Sequence, residues 1–89
     1  MIKIVKAKYI EHKTIRLWFS DQTVGDYDLQ LLLDKQTELV IPLQDEGYFK
    51  RFFIELGALC WKNGLELSPG NIHNKLKQQG KLQRDLKAA

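Results

Sequence analysis

The sequence predicts one α+β domain: an antiparallel three-stranded meander, a short helix, a second strand group containing an Asn-Gly hairpin, and a C-terminal helix. Three observations carry that prediction. Residues 2–28 alternate apolar and polar side chains in three short runs, the period of half-buried strands. Asn63-Gly64 lies between apolar-rich segments, the signature of a two-residue type I′ turn with positive φ at both positions. Ser68-Pro69 supplies a helix N-cap followed by a first helical residue that needs no N–H.

Taken in order, residues 2–10 read as a first strand whose alternation changes phase, with Ile2 and Ile4 on one face and Val5, Ala7 and Tyr9 on the other. A bulge near Ile4-Val5 reconciles the halves, keeping Val5, Ala7 and Tyr9 on the buried face and Lys6 and Lys8 outward. After the polar turn Glu11-His12-Lys13, residues 14–19 place Ile15, Leu17 and Phe19 inward and Arg16 and Trp18 opposite. Asp21-Gln22 makes a second turn, and residues 23–28 return as a third strand with Tyr27 as its buried aromatic. Asp28 caps a helix of about two turns, because Leu29, Leu32 and Leu33 fall on one helical face. Residues 39–43 are apolar but contain Pro42, so they form either a short edge strand or an extended connection. Residues 45–49 read as a single capped turn. Residues 51–56 alternate, with Phe52, Ile54 and Leu56 on one face, until Gly57 breaks the run. Residues 58–62 and 65–68 then form the hairpin, in which a two-residue loop sets Cys60 opposite Leu67 and Lys62 opposite Leu65. The last helix carries Ile72 and Leu76 at i, i+4 and meets Gly80, after which the chain either frays or continues as a basic helix. The domain therefore spans residues 1–77, with 78–89 as a basic tail or helix extension.

The 89 residues, 44% hydrophobic, suffice for one modest core without a metal or disulfide staple. A lone cysteine, Cys60, excludes an internal disulfide and a cysteine-rich zinc site and favours a reducing compartment. No apolar run approaches the roughly 18 residues of a membrane span, and the N-terminus lacks the apolar block of a signal peptide, so a cytoplasmic location is expected. The net charge of +3 is unevenly spread: residues 1–69 carry nine Lys/Arg against ten Asp/Glu, whereas residues 70–89 carry five against Asp85 alone. The basicity belongs to the tail.

The order of landmarks, from Phe19-Ser20-Asp21 through Asp28-Leu29, Leu32-Leu33, Pro42-Leu43-Gln44-Asp45 and Phe49 to the run Trp61–Pro69, resembles a small bacterial family catalogued as domain of unknown function 2442. The resemblance covers roughly residues 3–76. Family members often place Asp-Gly where this chain has Asp21-Gln22, and Asp where it has Glu66. The resemblance implies a compact α+β unit, found alone or fused ahead of a helix-turn-helix domain. Short stand-alone members often sit beside another small gene, an arrangement similar to toxin–antitoxin pairs.

Candidate chemistry is sparse. Asp21, Asp26 and Asp28 cluster, but two carboxylates on one strand face fall short of the converging oxygens a hard cation needs. His12, His73 and Cys60 have no metal-ligand spacing. There is no phosphate-binding glycine loop, no Gly-x-Ser-x-Gly elbow and no HExxH. No catalytic residue, cofactor or metal is therefore expected, and a non-enzymatic protein-binding module is, with the neutralising, antitoxin-like member of a two-gene module as its narrower form. Trp18, Phe53, Trp61, Leu82 and Leu86 are its candidate anchors, unless the aromatics are core, and a protein partner or a homodimer through a sheet edge would use them. The alternative is weak nucleic-acid binding through Lys75, Lys77, Lys81, Arg84 and Lys87, aided by Lys6, Lys8, Arg16 and Trp18 on the exposed face of the first hairpin.

Overall fold

The computed structural model describes residues 1–86. Its alternating N-terminal runs form β1 (Ile4–Glu11), β2 (Thr14–Phe19) and β3 (Thr23–Asp28), each antiparallel to the next. The pairs Ile4↔Phe19, Ala7↔Leu17 and Tyr9↔Ile15 set one face toward the core, where Ile15 and Leu17 are fully buried. The phase change in β1 is a bulge between Ile4 and Lys6. Its outcome corrects one expectation: Ile4 is the core residue, 2% exposed, while Val5 is the extra residue of the bulge and stands 62% exposed. Ile4 is held there because its N–H donates to the Gly57 carbonyl at 2.8 Å, tying the first sheet to the second.

The N-cap of α1 (Gln30–Asp34) is Leu29 rather than the expected Asp28, which stands one residue earlier and leads into the helix by a turn in which its Oδ1 accepts from the Gln30 N–H at 2.9 Å. Leu29 and Leu33 bury their side chains one turn apart. Residues 39–43 are neither an edge strand nor extended: Ile41–Gln44 winds into a 3-10 turn. Three residues per turn bring Val40 and Leu43 onto one buried face, and Pro42 sits at the turn's start, where no donor is required. Asp45 then caps α2 (Glu46–Phe49) through its Oδ2 and the Tyr48 N–H, 2.9 Å apart.

The second sheet has the order β4 (Phe53–Glu55), β5 (Ala58–Cys60), β6 (Glu66–Leu67), all antiparallel and shorter than the alternation suggested. Leu56, expected beside Phe52 and Ile54, is instead at the tip of the β4–β5 turn, 91% exposed with φ +52°. The Asn-Gly loop is also one residue longer than expected. Gly64 alone takes positive φ, its N–H bonds the Trp61 carbonyl, and the Trp61 N–H bonds the Leu65 carbonyl. That is a type I turn closed by a left-handed glycine. Asn63 stays at negative φ while its side chain donates to the Leu39 carbonyl and accepts from the Leu65 N–H. The register shifts accordingly to Leu59↔Leu67 and Cys60↔Glu66.

Ser68 caps α3 (Pro69–Gln78), which buries Ile72 and Leu76. Gly80, at φ +69°, ends it, with the Lys81 N–H returning to the Leu76 carbonyl as in a Schellman motif. The tail does not extend the helix. It turns into β7 (Gln83–Arg84), pairing Thr23↔Arg84 and Val24↔Gln83, so the first sheet has the order β1-β2-β3-β7. Gly25 permits this: a Cβ there would lie 3.0 Å from the Lys81 carbonyl oxygen and 3.1 Å from Leu76. The core fills the space between the inner face of this sheet and the helices and second sheet, with Phe49 and Trp61 at its centre.

Candidate interaction surface

The outer face of the first sheet is assembled by strand periodicity. Lys6, Trp18, Val24 and Gln83 lie side by side across the four strands, and Lys8, Arg16 and Asp26 form the next row. None of these residues is buried, in contrast to the opposite face. Trp18 holds its place partly through Lys6, whose Nζ lies 4.7 Å from the ring centroid. Such a contact contributes about 0.5–1 kcal/mol at an exposed site. Arg16 is committed internally, its Nε and Nη2 reaching the Asp26 carboxylate at 2.7 and 3.1 Å. Those hydrogen bonds, with the carboxylate charge, raise the guanidinium pKa.

Trp18 separates two troughs. One is lined by Val5, Lys6, Lys8, Ser20 and Gln22. The other is lined by Asp26, Asp28, Lys81, Arg84 and Leu86. The tail cations Lys81 and Arg84 and the exposed Leu86 therefore join the first hairpin in one surface. Lys75 and Lys77 are exposed on the last turns of α3 and line neither trough. Lys87 lies outside the described residues. Leu82 packs against the core beside Gly25, and Phe53 is 42% exposed on β4, in the other sheet.

Trp61 is not a surface anchor. It is 1% exposed, and its indole N–H donates to the Phe49 carbonyl at 2.9 Å, which satisfies the one polar atom that its burial would strand. Cys60 is buried as well, and burial, then the nearby Glu66 charge, push its thiol pKa up, opposite to what a nucleophile requires. His73 meets Asp21 at 2.8 Å, a contact between α3 and the β2–β3 turn that the sequence reading did not foresee. Val24 was also missed, although alternation along residues 23–28 places it beside Trp18. Among the described residues no group of three or more His, Cys, Asp or Glu converges, and no helix is long and apolar enough to cross a membrane.

Comparison with the curated proteins and with the solved structures found no match. A family model does match, over residues 4–78, and its description is a protein of unknown function (DUF2442). The match runs from the start of β1 to the end of α3 and leaves β7 and Leu86 outside. By that match the chain belongs to the DUF2442 family of proteins of unknown function.

Proposed function

We propose that this chain is a non-enzymatic protein-binding module that docks a partner on the outer face of its first sheet. One observation carries the reading: Trp18, half-buried and pre-positioned by Lys6, stands in the middle row of a sheet face whose described residues are all half-buried or exposed. Interface centres favour such an aromatic, because a rigid ring contributes area at small entropic cost. Val5, Val24 and Leu86 add apolar surface around it.

Nucleic-acid binding is the weaker reading. Lys81 and Arg84 do lie in the trough beside Trp18, but so do Asp26 and Asp28, and the Arg16 charge is already matched by Asp26. A phosphate chain laid there would meet carboxylates as well as cations. In its narrower form, the proposal is the neutralising, antitoxin-like member of a bacterial two-gene module acting in the cytoplasm, as the family resemblance implies.

The test is affinity capture from the native host with the intact chain and a Trp18→Ala variant, at low and moderate salt. A single protein held in fixed stoichiometry at both salts by the intact chain, and lost with Trp18→Ala while the unfolding curve is unchanged, supports the reading. Nucleic acid recovered at low salt only, with no protein, would replace it with the alternative.

A further inference from the structure

β1 is a sheet edge, and its first residue is already occupied: the Ile4 N–H bonds the Gly57 carbonyl. Past Ile4, among the described residues, no backbone hydrogen bond leaves β1 on the side away from β2. Bulges at Ile4/Lys6 and Tyr9/Glu11 bound the regular stretch to residues 6–9. Within it Lys6 and Lys8 project from the same outer face, opposite Trp18 and Arg16. Neither lysine has an ion-pair partner among the described residues.

These features choose among possible strands. A second copy of β1 paired antiparallel about Ala7 would set Lys6 of one copy against Lys8 of the other on the same face, and like charges directly opposite are destabilising. Lysines on an edge thus keep identical chains apart. The same two side chains leave the strand about 6–7 Å apart as i and i+2, the spacing of carboxylate-bearing residues at alternate positions of an added strand. An edge that repels its own copy and matches an acidic strand is selective by charge.

Resting on the partner-binding reading above, we infer that the partner contributes an extended segment with acidic residues at alternate positions, which adds to the sheet along residues 6–9 of β1 with its carboxylates beside Lys6 and Lys8. Main-chain hydrogen bonds then supply affinity, and the two lysines supply selection.

The probe is a blocked octapeptide alternating glutamate and threonine, with a lysine–threonine counterpart and a fully N-methylated glutamate version, titrated into the intact chain and followed by amide chemical shifts. The expected result is that the glutamate peptide shifts the amides of residues 5–10. The double variant Lys6→Glu/Lys8→Glu then weakens it at least tenfold and gains the lysine peptide, which also shows that the variant is folded. The N-methylated peptide, which lacks backbone donors, should bind at least tenfold more weakly than its parent. Absence of binding at millimolar peptide, shifts confined to other elements, equal binding of the N-methylated peptide, or indifference to the charge reversal would each overturn the inference. If a partner captured through Trp18 survives Lys6→Glu/Lys8→Glu, the acidic-strand inference fails while the partner-binding reading stands. Capture indifferent to both that variant and Trp18→Ala removes both.

Discussion

His73 Nε2 lies 2.8 Å from Asp21 Oδ2, so that one side-chain contact joins α3 to the turn between β2 and β3. The ring also stands edge-on to Phe19 at 5.0 Å. Partial burial alone would raise the Asp21 pKa, but hydrogen bonds from Thr23 and His73 outweigh it and hold the carboxyl below its ordinary value. A depressed folded-state value means that the contribution is present above the unfolded value of about 4 and is lost as pH falls through the folded one. Because the side chain is about a third exposed, solvent screening limits the effect to less than about 1 kcal/mol. Urea unfolding between pH 3 and 7 should show the chain losing stability below about pH 4, with Asp21→Asn reducing that loss. An identical acid limb in the two proteins would refute the assignment.

Five described residues other than glycine sit in left-handed backbone, and two of them, Leu56 and Gln22, are exposed turn residues whose side chains bury nothing. Leu56 has φ +52° and is 91% exposed, and the exposed Gln22 has φ +68°. Asparagine and glycine tolerate that region better than leucine or glutamine. Leu56→Asn and Gln22→Gly should therefore each stabilise the fold by roughly 0.5–1 kcal/mol, raising the midpoint of thermal unfolding by about 2–6 °C. A lowered midpoint for Leu56→Asn would mean that the exposed leucine makes a stabilising contact in solution.

How far the fold could be read from sequence depended on whether the deciding contact was local. The meander was legible because a half-buried sheet writes a period of two into each strand. The phase change marked the bulge correctly, yet whether Ile4 or Val5 faced the core was set by the Gly57 carbonyl, far along the chain. The Asn-Gly pair marked a hairpin, but its loop length followed from the bond that the Asn63 side chain makes to Leu39. Trp18 and Trp61 both lie within two residues of a cation in sequence, Arg16 and Lys62 respectively, and composition does not separate them. A buried carbonyl at Phe49 does, by accepting the Trp61 N–H. The path of the tail was least legible, because two residues of strand carry no periodic signal and the space for them is provided by Gly25.

That space gives a third prediction. A methyl group at residue 25 would stand 3.0 Å from the Lys81 carbonyl oxygen, 3.1 Å from Leu76 Cδ1 and 3.2 Å from Leu82 Cδ2. Backbone and a fully buried leucine leave little freedom to yield, so Gly25→Ala should cost about 1–3 kcal/mol. The displacement should fall on β7 before it reaches β1 and β2. Hydrogen exchange would show this as lost protection at Asp85, whose N–H bonds the Gln22 carbonyl at 2.8 Å, with the β1–β2 amides retained. Uniform loss of protection across all four strands would instead make the tail integral to the sheet's stability.

The two tryptophans supply the fourth prediction, because one is sealed and the other stands among cations. Trp61 is 1% exposed and inaccessible to a dissolved quencher. Trp18 is reachable, and the Lys6 ammonium 4.7 Å from its ring, with Lys8 two residues on, raises the local concentration of anions and lowers that of cations. Iodide should therefore quench part of the emission more efficiently than caesium at equal ionic strength, with the remainder resistant to both. Trp18→Phe should abolish the quenchable part and leave a blue-shifted, resistant Trp61 signal. Lys6→Gln should narrow the difference between iodide and caesium, because it removes the ammonium group that lies over the ring. Added salt should narrow the difference as well, since screening acts over about 10 Å at 0.1 M. Equal quenching by the two ions at low salt would show that the lysines do not set the potential at Trp18, and the charge selection argued for the β1 edge would lose its basis.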